Sequence, residues 1–468
     1  MGECIKVKIT IEKFGPIDKF EYDLDKELII TYGNNNIGKS YAMQIVYLML
    51  KTFIVNMFIT PRTYHQIYLY PRRIDISLPE EKIESMVRVF MESDEQIKDI
   101  TSDIVLEVNK LMSTAFMPEF MNSCKNTFGN LEKTLEKEPV ITIDYKEYNF
   151  VIDLKNGKVN GVINIKPIRL KKTDSDFHKS RNSSNHLDIY VVDNIEKPSE
   201  LVFQEIQKTF IRYVRLISGD FGNVYFLPAS RSGIYAGMNA FGSIVAELSR
   251  NRAYFTKKIE FPGISEPISD YFIALSNIKT KANEGLEDAY KAIEDKILKG
   301  KVTFDKNKNA LMYEPDNIDA SYEMTEVSSM VSEIAPIVAF LKYIISPGYR
   351  RSPKPKSILF IEEPEAHLHP YNQILLIEIF TKLIGADVKL IMSSHSNYVF
   401  NKINNLVLAK KLDFNMYEPI VLEETTNGSV SKYILVDELG ANDENFVDVS
   451  ESLYCEREEI IAELNMED

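Results

Sequence analysis

The sequence predicts an α/β fold, a mixed, mainly parallel sheet interrupted by two largely helical insertions and a small β-meander. Three segments carry that expectation. Residues 33–40 read Gly-Asn-Asn-Asn-Ile-Gly-Lys-Ser, a G-x-x-x-x-G-K-S loop between the apolar run Glu27–Tyr32 and the apolar stretch Tyr41–Leu50. Ser357–Ile361 is an apolar strand that runs into Glu362-Glu363-Pro364. Val388–Met392 is another, and it runs into Ser393-Ser394-His395. A strand, glycine loop and helix near one end, with two short strands ending in polar groups near the other, fit a sheet whose strand ends converge on one site.

Residues 1–60 make the first half of the core: a hairpin, the loop and a helix. Gly33 and Gly38 take backbone conformations closed to residues with a Cβ, so the N–H groups of Asn34, Asn35, Asn36 and Ile37 can turn toward phosphate oxygens. The helix start adds unpaired donors and a partial positive charge. Lys39 is placed for the β- and γ-phosphates and Ser40 for Mg²⁺. The stretch Tyr41–Thr60 is hydrophobic enough to suggest a membrane span, but Gln44, Lys51 and Asn56 interrupt it. Its first turn must also hold phosphate, so it reads as a buried helix.

Lys39 and Glu363 are 324 positions apart, more than a compact parallel sheet needs, so material is inserted between the two halves. In the first insertion, 61–219, Lys82–Met91 and Asp99–Met112 show helical spacing. Over 140–170 the period changes to two, with Ile141–Ile143, Tyr148–Ile152 and Val162–Ile165 alternating around Lys155-Asn156-Gly157. Asp174–His186 is polar and reads as a loop, and helix resumes over Pro198–Ser218.

Residues 220–239 return to the core. The strand Asn223–Leu227 delivers Pro228-Ala229-Ser230-Arg231-Ser232-Gly233, where small residues around one arginine suit a site that approaches a ligand closely. Arg231 could equally form a salt bridge that shapes the loop. The second insertion, 240–320, holds helical stretches and a hairpin around Lys306–Asn309.

The second half of the core, 321–436, carries the acidic pair. Two adjacent carboxylates at a strand's C-terminal end divide into two jobs. Glu362 is assigned to Mg²⁺, directly or through water, and Glu363 to polarising the attacking water. His395, one strand away, is placed to meet a γ-phosphate or that water. Ser328 or Ser329 can cap the helix upstream of the acidic strand. Asn405–Ala409, Ile420–Leu422 and Val430–Val436 are expected to finish the sheet. Residues 437–468 form an acidic tail with a short helix, Cys455–Met466, whose Ile460, Ile461 and Leu464 share a face.

The order of loop, acidic pair and histidine resembles the ABC-type ATPases of the SMC and RecF kind. Ile361-Glu362-Glu363-Pro364-Glu365-Ala366-His367-Leu368-His369-Pro370 is similar to the OLD-like, AAA-named subgroup. The opening Ile5–Ile9 and Phe14–Ile17 look like that family's first hairpin. The resemblance implies that Glu362 belongs to Walker B, Glu363 is the catalytic glutamate, Ala366–His369 is the D-loop and His395 is the switch histidine. It also implies hydrolysis between two subunits, in a homodimer or higher even-numbered oligomer. Ser328 and Ser329 would then face the partner's nucleotide, although Met330 stands where the family commonly has glycine. The segment around Arg231 is similar to one found after the first insertion in OLD-like ATPases, which makes Arg231 a nucleotide or interface candidate. OLD nucleases also carry a Toprim domain; none is recognisable here, so the effector is expected to be a separately encoded nuclease or toxin.

Composition fits a soluble intracellular enzyme, expected in the cytoplasm, and the motifs with the resemblance imply ATP and Mg²⁺ as its cofactors. Cys4, Cys124 and Cys455 are scattered, giving neither a zinc pattern nor a disulfide framework, and no signal peptide is expected before the first strand. The net charge of −14 is local: Asp437–Asp468 holds twelve acids and one base, leaving the rest at −3. Basic segments at Arg169–Arg181, Arg250–Lys258 and Arg350–Lys356 lack interleaved aromatics, so nucleic-acid contact has no support. No partner membrane is expected. Three classes compete: a regulatory ATPase of a bacterial defence or toxin-type system, a DNA-repair ATPase of the RecF or SMC kind, and a transporter's nucleotide-binding subunit. The continuous basic groove or long coiled coil of the second is missing, as is the regular Ser-Gly-Gly signature of the third. The first is favoured.

Overall fold

The computed structural model describes residues 7–56, 80–145, 148–163, 165–173, 180–182, 185–191, 198–218, 221–237, 263–278, 281–345, 356–442 and 454–461. The amino-terminal strands are β1 (Val7–Phe14), β2 (Ile17–Asp23) and β3 (Leu28–Tyr32). The first insertion contributes β4 (Ile97–Asp99), β5 (Val140–Tyr145), β6 (Tyr148–Asp153), β7 (Lys158–Ile163), β8 (Ile168–Lys172), β9 (Ser180–Asn182) and β10 (Leu187–Val191). Then come β11 (Phe221–Leu227), β12 (Gly300–Asp305), β13 (Ala310–Pro315) and β14 (Tyr322–Glu323). The last part holds β15 (Lys356–Glu362), β16 (Val388–Ser393), β17 (Tyr417–Thr425) and β18 (Gly428–Tyr433).

Eleven strands form one mixed sheet in the order β11-β15-β16-β3-β17-β18-β2-β1-β5-β6-β7. The run from β11 to β17 is parallel throughout. In its middle, β3 and β16 are buried at every residue, which is why both read as mainly apolar runs without polar alternation, interrupted by Thr31, Lys389 and Ser393. β3 has no neighbour from its own end of the chain: Leu28 pairs with Leu390 on one side and Tyr417 on the other. Alternate residues of β3 serve two cores. Ile29 joins the core shared with the helix Lys39–Lys51 and the first insertion, while Leu28, Ile30 and Tyr32 join the core shared with the helices Ser329–Ala339, Pro370–Ile384 and Asn397–Leu408.

The meander at 140–170 does not stand apart. β5 pairs antiparallel with β1, so β5, β6 and β7 extend the main sheet, while Ile168–Leu170 belongs to a second sheet of order β4-β8-β10-β9. At the outer edge, side chains of the first insertion's helical segment occupy the backbone groups of β7. Asn109 accepts from Gly161 N and donates to Gly161 O, and Ser113 Oγ accepts from Val159 N at 2.9 Å.

One expected strand is a helix. Asn405–Leu408 is the last turn of the helix Asn397–Leu408, which Ser396 caps by accepting from Val399 N. Val399, Phe400, Ile403, Leu406 and Val407 recur at helical spacing, a period invisible in a five-residue window. Another difference is small: β9 lies inside Asp174–His186, read as a polar loop. The hairpin at Lys306–Asn309 joins β12 to β13 as expected. Arg250–Lys258, residues 350–355 and Leu464 lie outside the described residues. Residues 454–461 are helical, with Ile460 and Ile461 half exposed. Among the described residues no helix is long and apolar enough to cross a membrane.

Candidate functional site

The glycine loop sits between the end of β3 and the helix Lys39–Lys51. Gly33 has φ +142° and Gly38 φ +100°, conformations that a side chain would strain, and a Cβ on Gly33 would meet Leu422 O at 3.0 Å. Asn36 also has positive φ, so the loop turns its successive N–H groups in a concave arc suited to anions. β18 braces it from behind, with Ser429 Oγ donating to Ile37 O at 2.5 Å.

Lys39 is buried, and its Nζ donates to Gly33 O at 2.9 Å and Asn34 O at 2.8 Å. Burial pulls its ammonium down to about 8, against the opposing pull of Glu363 and Glu365. The same Nζ lies 3.4 Å from His395 Nδ1, and His395 Nε2 lies 3.3 Å from Glu363 Oε1. An ammonium can only donate, so Nδ1 is the acceptor and Nε2 carries the proton toward Glu363. Lys39, His395 and Glu363 therefore form one chain across three strand ends, those of β3, β16 and β15.

The two acids of the pair differ in surroundings. Glu362 is buried, and burial raises its pKa despite hydrogen bonds from Ala229 N, Ser40 and Gln44. It touches the loop helix directly, through Gln44 Nε2 at 3.3 Å. Glu363 is part-exposed, and the hydrogen bond from His395 lowers its pKa, with Lys39 and Arg231 adding to the shift. A carboxylate beside the Ser40 hydroxyl, next to an anion-seeking loop, is the donor set of a hard divalent cation bound with a polyphosphate. The residues therefore fit Mg²⁺ and a nucleoside triphosphate.

Glu363 has φ +42°, left-handed for a residue with a side chain, which costs roughly 1–2 kcal/mol. Its backbone is held on both sides. The N–H donates to Ser393 O at 3.1 Å, and the carbonyl accepts from Arg231 Nη2 at 3.2 Å.

Arg231, expected at the nucleotide or an interface, is 0% exposed. Its Nη1 donates to Pro228 O and Glu362 O, and its Nε to Glu333 O. Glu333 Oε2 lies 3.4 Å from Nε. The arginine is thus the loop-shaping salt bridge of the alternative reading, set beneath the acidic pair. Ser328 caps the helix Ser329–Ala339, accepting from Val331 N at 3.5 Å. Neither Ser328 nor Ser329 is joined to the loop or the acidic pair by a hydrogen bond among the described residues, and the link from their helix runs through Glu333, one turn further on.

Two residues essential to this geometry escaped the sequence reading as individuals. Glu333 is fully buried and accepts from Arg231 N, Ser232 N and Ser232 Oγ. Its signal was a lone acid in the otherwise apolar helix Ser-Met-Val-Ser-Glu-Ile-Ala-Pro-Ile-Val-Ala. Glu365 accepts from Ser394 Oγ at 2.6 Å and His395 N at 2.8 Å, so it fixes the turn that presents the histidine.

A family model described as an AAA ATPase domain matches residues 6–400, which span the loop, the acidic pair and the histidine. The chain belongs to that ATPase family. Comparison with curated proteins finds no match. Among solved structures, the ATPase is similar to an SMC head bound to the C-terminal winged-helix domain of ScpA, at 10% identity and TM-score 0.36, with 92% of this chain and 98% of that one covered. It is also similar to the SMC head domain from Thermotoga maritima, at 8% identity and TM-score 0.36, covering 92% and 99%. At that score the likeness is one of general outline.

Proposed function

We propose that the chain is a Mg²⁺-dependent ATP hydrolase of the ABC type, two copies of which close around ATP. The observation that carries this reading is the Lys39–His395–Glu363 chain, in which a phosphate-seeking cation, a proton-bearing imidazole and an ionised carboxylate each lie within hydrogen-bond reach of the next. The loop N–H groups and Lys39 hold the polyphosphate, Ser40 and Glu362 hold Mg²⁺, Glu363 accepts the proton of the attacking water, and His395 orients it. Bound Mg²⁺ supplies charge neutralisation at the phosphate oxygens.

In the cell the ATPase serves as the regulatory subunit of a bacterial anti-phage defence or toxin-type system and governs a separately encoded effector. That part rests on the OLD-like wording of Ile361–Pro370.

The test is phosphate release from ATP with and without Mg²⁺, in the intact protein and in Lys39→Ala. Release that needs both Mg²⁺ and Lys39 is expected. Equal release by a folded Lys39→Ala protein overturns the hydrolase reading. The purified chain should not degrade DNA or RNA, and nuclease activity that survives Lys39→Ala would refute the separate effector.

A further inference from the structure

Among the described residues Arg231 is one of the largest fully buried side chains, and none of its donors reaches the surface. Two of its hydrogen bonds go to the carbonyls of Glu362 and Glu363, the point where β15 breaks into the left-handed turn of Glu363. On its other side it is locked to Glu333 through its backbone N–H and its Nε. Glu333 lies on the helix that starts at Ser328, four and five residues beyond the two serines. Ser230, just before Arg231, is itself left-handed at φ +54°, so this segment too is held in a conformation it would not keep alone.

We propose that Arg231, clamped by Glu333, is a positioning residue that holds the backbone of Glu363 in its left-handed turn and makes that turn dependent on the helix beginning at Ser328. A carboxylate that accepts the proton of an attacking water must be placed to within a fraction of an ångström, and without Arg231 the carbonyl of Glu363 keeps only the turn's own hydrogen bond from Ala366 N at 3.1 Å. The arrangement rests on the hydrolase reading for Glu363. It adds a route by which movement at Ser328 and Ser329 is felt at the acidic pair of the same chain, through one rigid guanidinium.

The experiment compares Arg231→Lys with the intact protein, each with and without Glu363→Gln. A lysine keeps the charge but cannot donate to Pro228 O, Glu362 O and Glu363 O in a fixed fork. Arg231→Lys is expected to lower kcat by about tenfold or more with KM for ATP changed less than about twofold, and to add nothing to the loss already caused by Glu363→Gln. Glu333→Gln, which leaves every donor of Arg231 in place but loosens its clamp, is expected to show the same kcat loss at unchanged KM and the same silence in the Glu363→Gln background. It serves where Arg231→Lys fails to fold. Unchanged kcat in a folded variant overturns the proposal, and so does a loss that multiplies with that of Glu363→Gln. If the intact protein releases no phosphate at all, it is the hydrolase reading that fails. ATP binding then separates the cases, because Arg231→Lys should bind ATP as the intact protein does.

Discussion

Lys39 carries a charge that burial has made conditional. Its ammonium, held at about 8 without nucleotide, gains phosphate oxygens on binding and so keeps its proton to higher pH in the complex. Binding therefore takes up a proton above about pH 8, and affinity is full below that and lost as pH rises through it. The Kd for ATP is expected to stay level from about pH 6.5 to 7.5 and then to weaken toward tenfold per unit, a slope absent in Lys39→Ala. Fluorescent-nucleotide titration reads it. The acids should separate as well. Glu363→Gln is expected to cut turnover by roughly 10²–10⁴ while ATP still binds, Glu362→Gln to raise the Mg²⁺ requirement, and His395→Ala to lower turnover at little cost in affinity. Equal metal dependence in the two glutamine variants would reverse the assignment. At this scale the residues legible in the sequence were those with a local pattern: the loop, the acidic pair and the histidine each announce themselves within ten positions. Glu333 and the true partners of Arg231 did not, because the pair joins positions 102 apart and only folding brings them together.

Between elements, the junction at the far end of the loop helix is the most exposed to a single change. Lys51 is buried and donates to Glu266 Oε1 at 2.6 Å and Asp270 Oδ2 at 2.5 Å, while Tyr47 OH donates to the same Asp270 and Ser123 Oγ to the same Glu266. The loop helix is thereby tied to the helix Met117–Phe128 of the first insertion and the helix Glu266–Ser276 of the second. Lys51→Met leaves the buried Asp270 and the part-buried Glu266 without their cation and is expected to cost roughly 3–5 kcal/mol in urea unfolding. Adding Asp270→Asn should recover part of that loss, because burial already raises the pKa of Asp270 and disfavours its charge. A single-variant loss under about 1 kcal/mol would show that the junction is not a structural tie. Sequence reading found Lys51 only as an interruption of an apolar stretch, since a lysine's partners cannot be read from its neighbours. The same limit turned Asn405–Leu408 into a strand, where four apolar-flanked residues fit either period until Val399, Phe400 and Ile403 are counted with them.

At the scale of the whole molecule, Ser328 and Ser329 are exposed at a helix start, and the proposed function has that surface face another copy. ATP is expected to convert Glu363→Gln, which holds nucleotide without cleaving it, to a dimer by light scattering, and Ser329→Arg to prevent both dimer and hydrolysis. An oligomer indifferent to ATP and to Ser329→Arg would exclude completion of the site in trans. The large mixed sheet and the strand ends that carry the candidate site were legible because strand–loop pairs repeat along the sequence. That the meander prolongs the main sheet was not, because alternation gives a strand's faces and says nothing about which strand lies beside it.

The place of β3 also sets a clock. Its only neighbours are β16 and β17, and the Tyr32 and Tyr417 hydroxyls meet at 3.2 Å across 385 residues. At roughly 5–20 residues per second of synthesis, the mainly apolar Leu28–Tyr32 waits about 20–70 s on the ribosome before either partner exists. For that interval the strand that will carry the nucleotide loop is the segment most open to capture by a chaperone or by another nascent chain. A fragment ending before Val388 is never relieved of it.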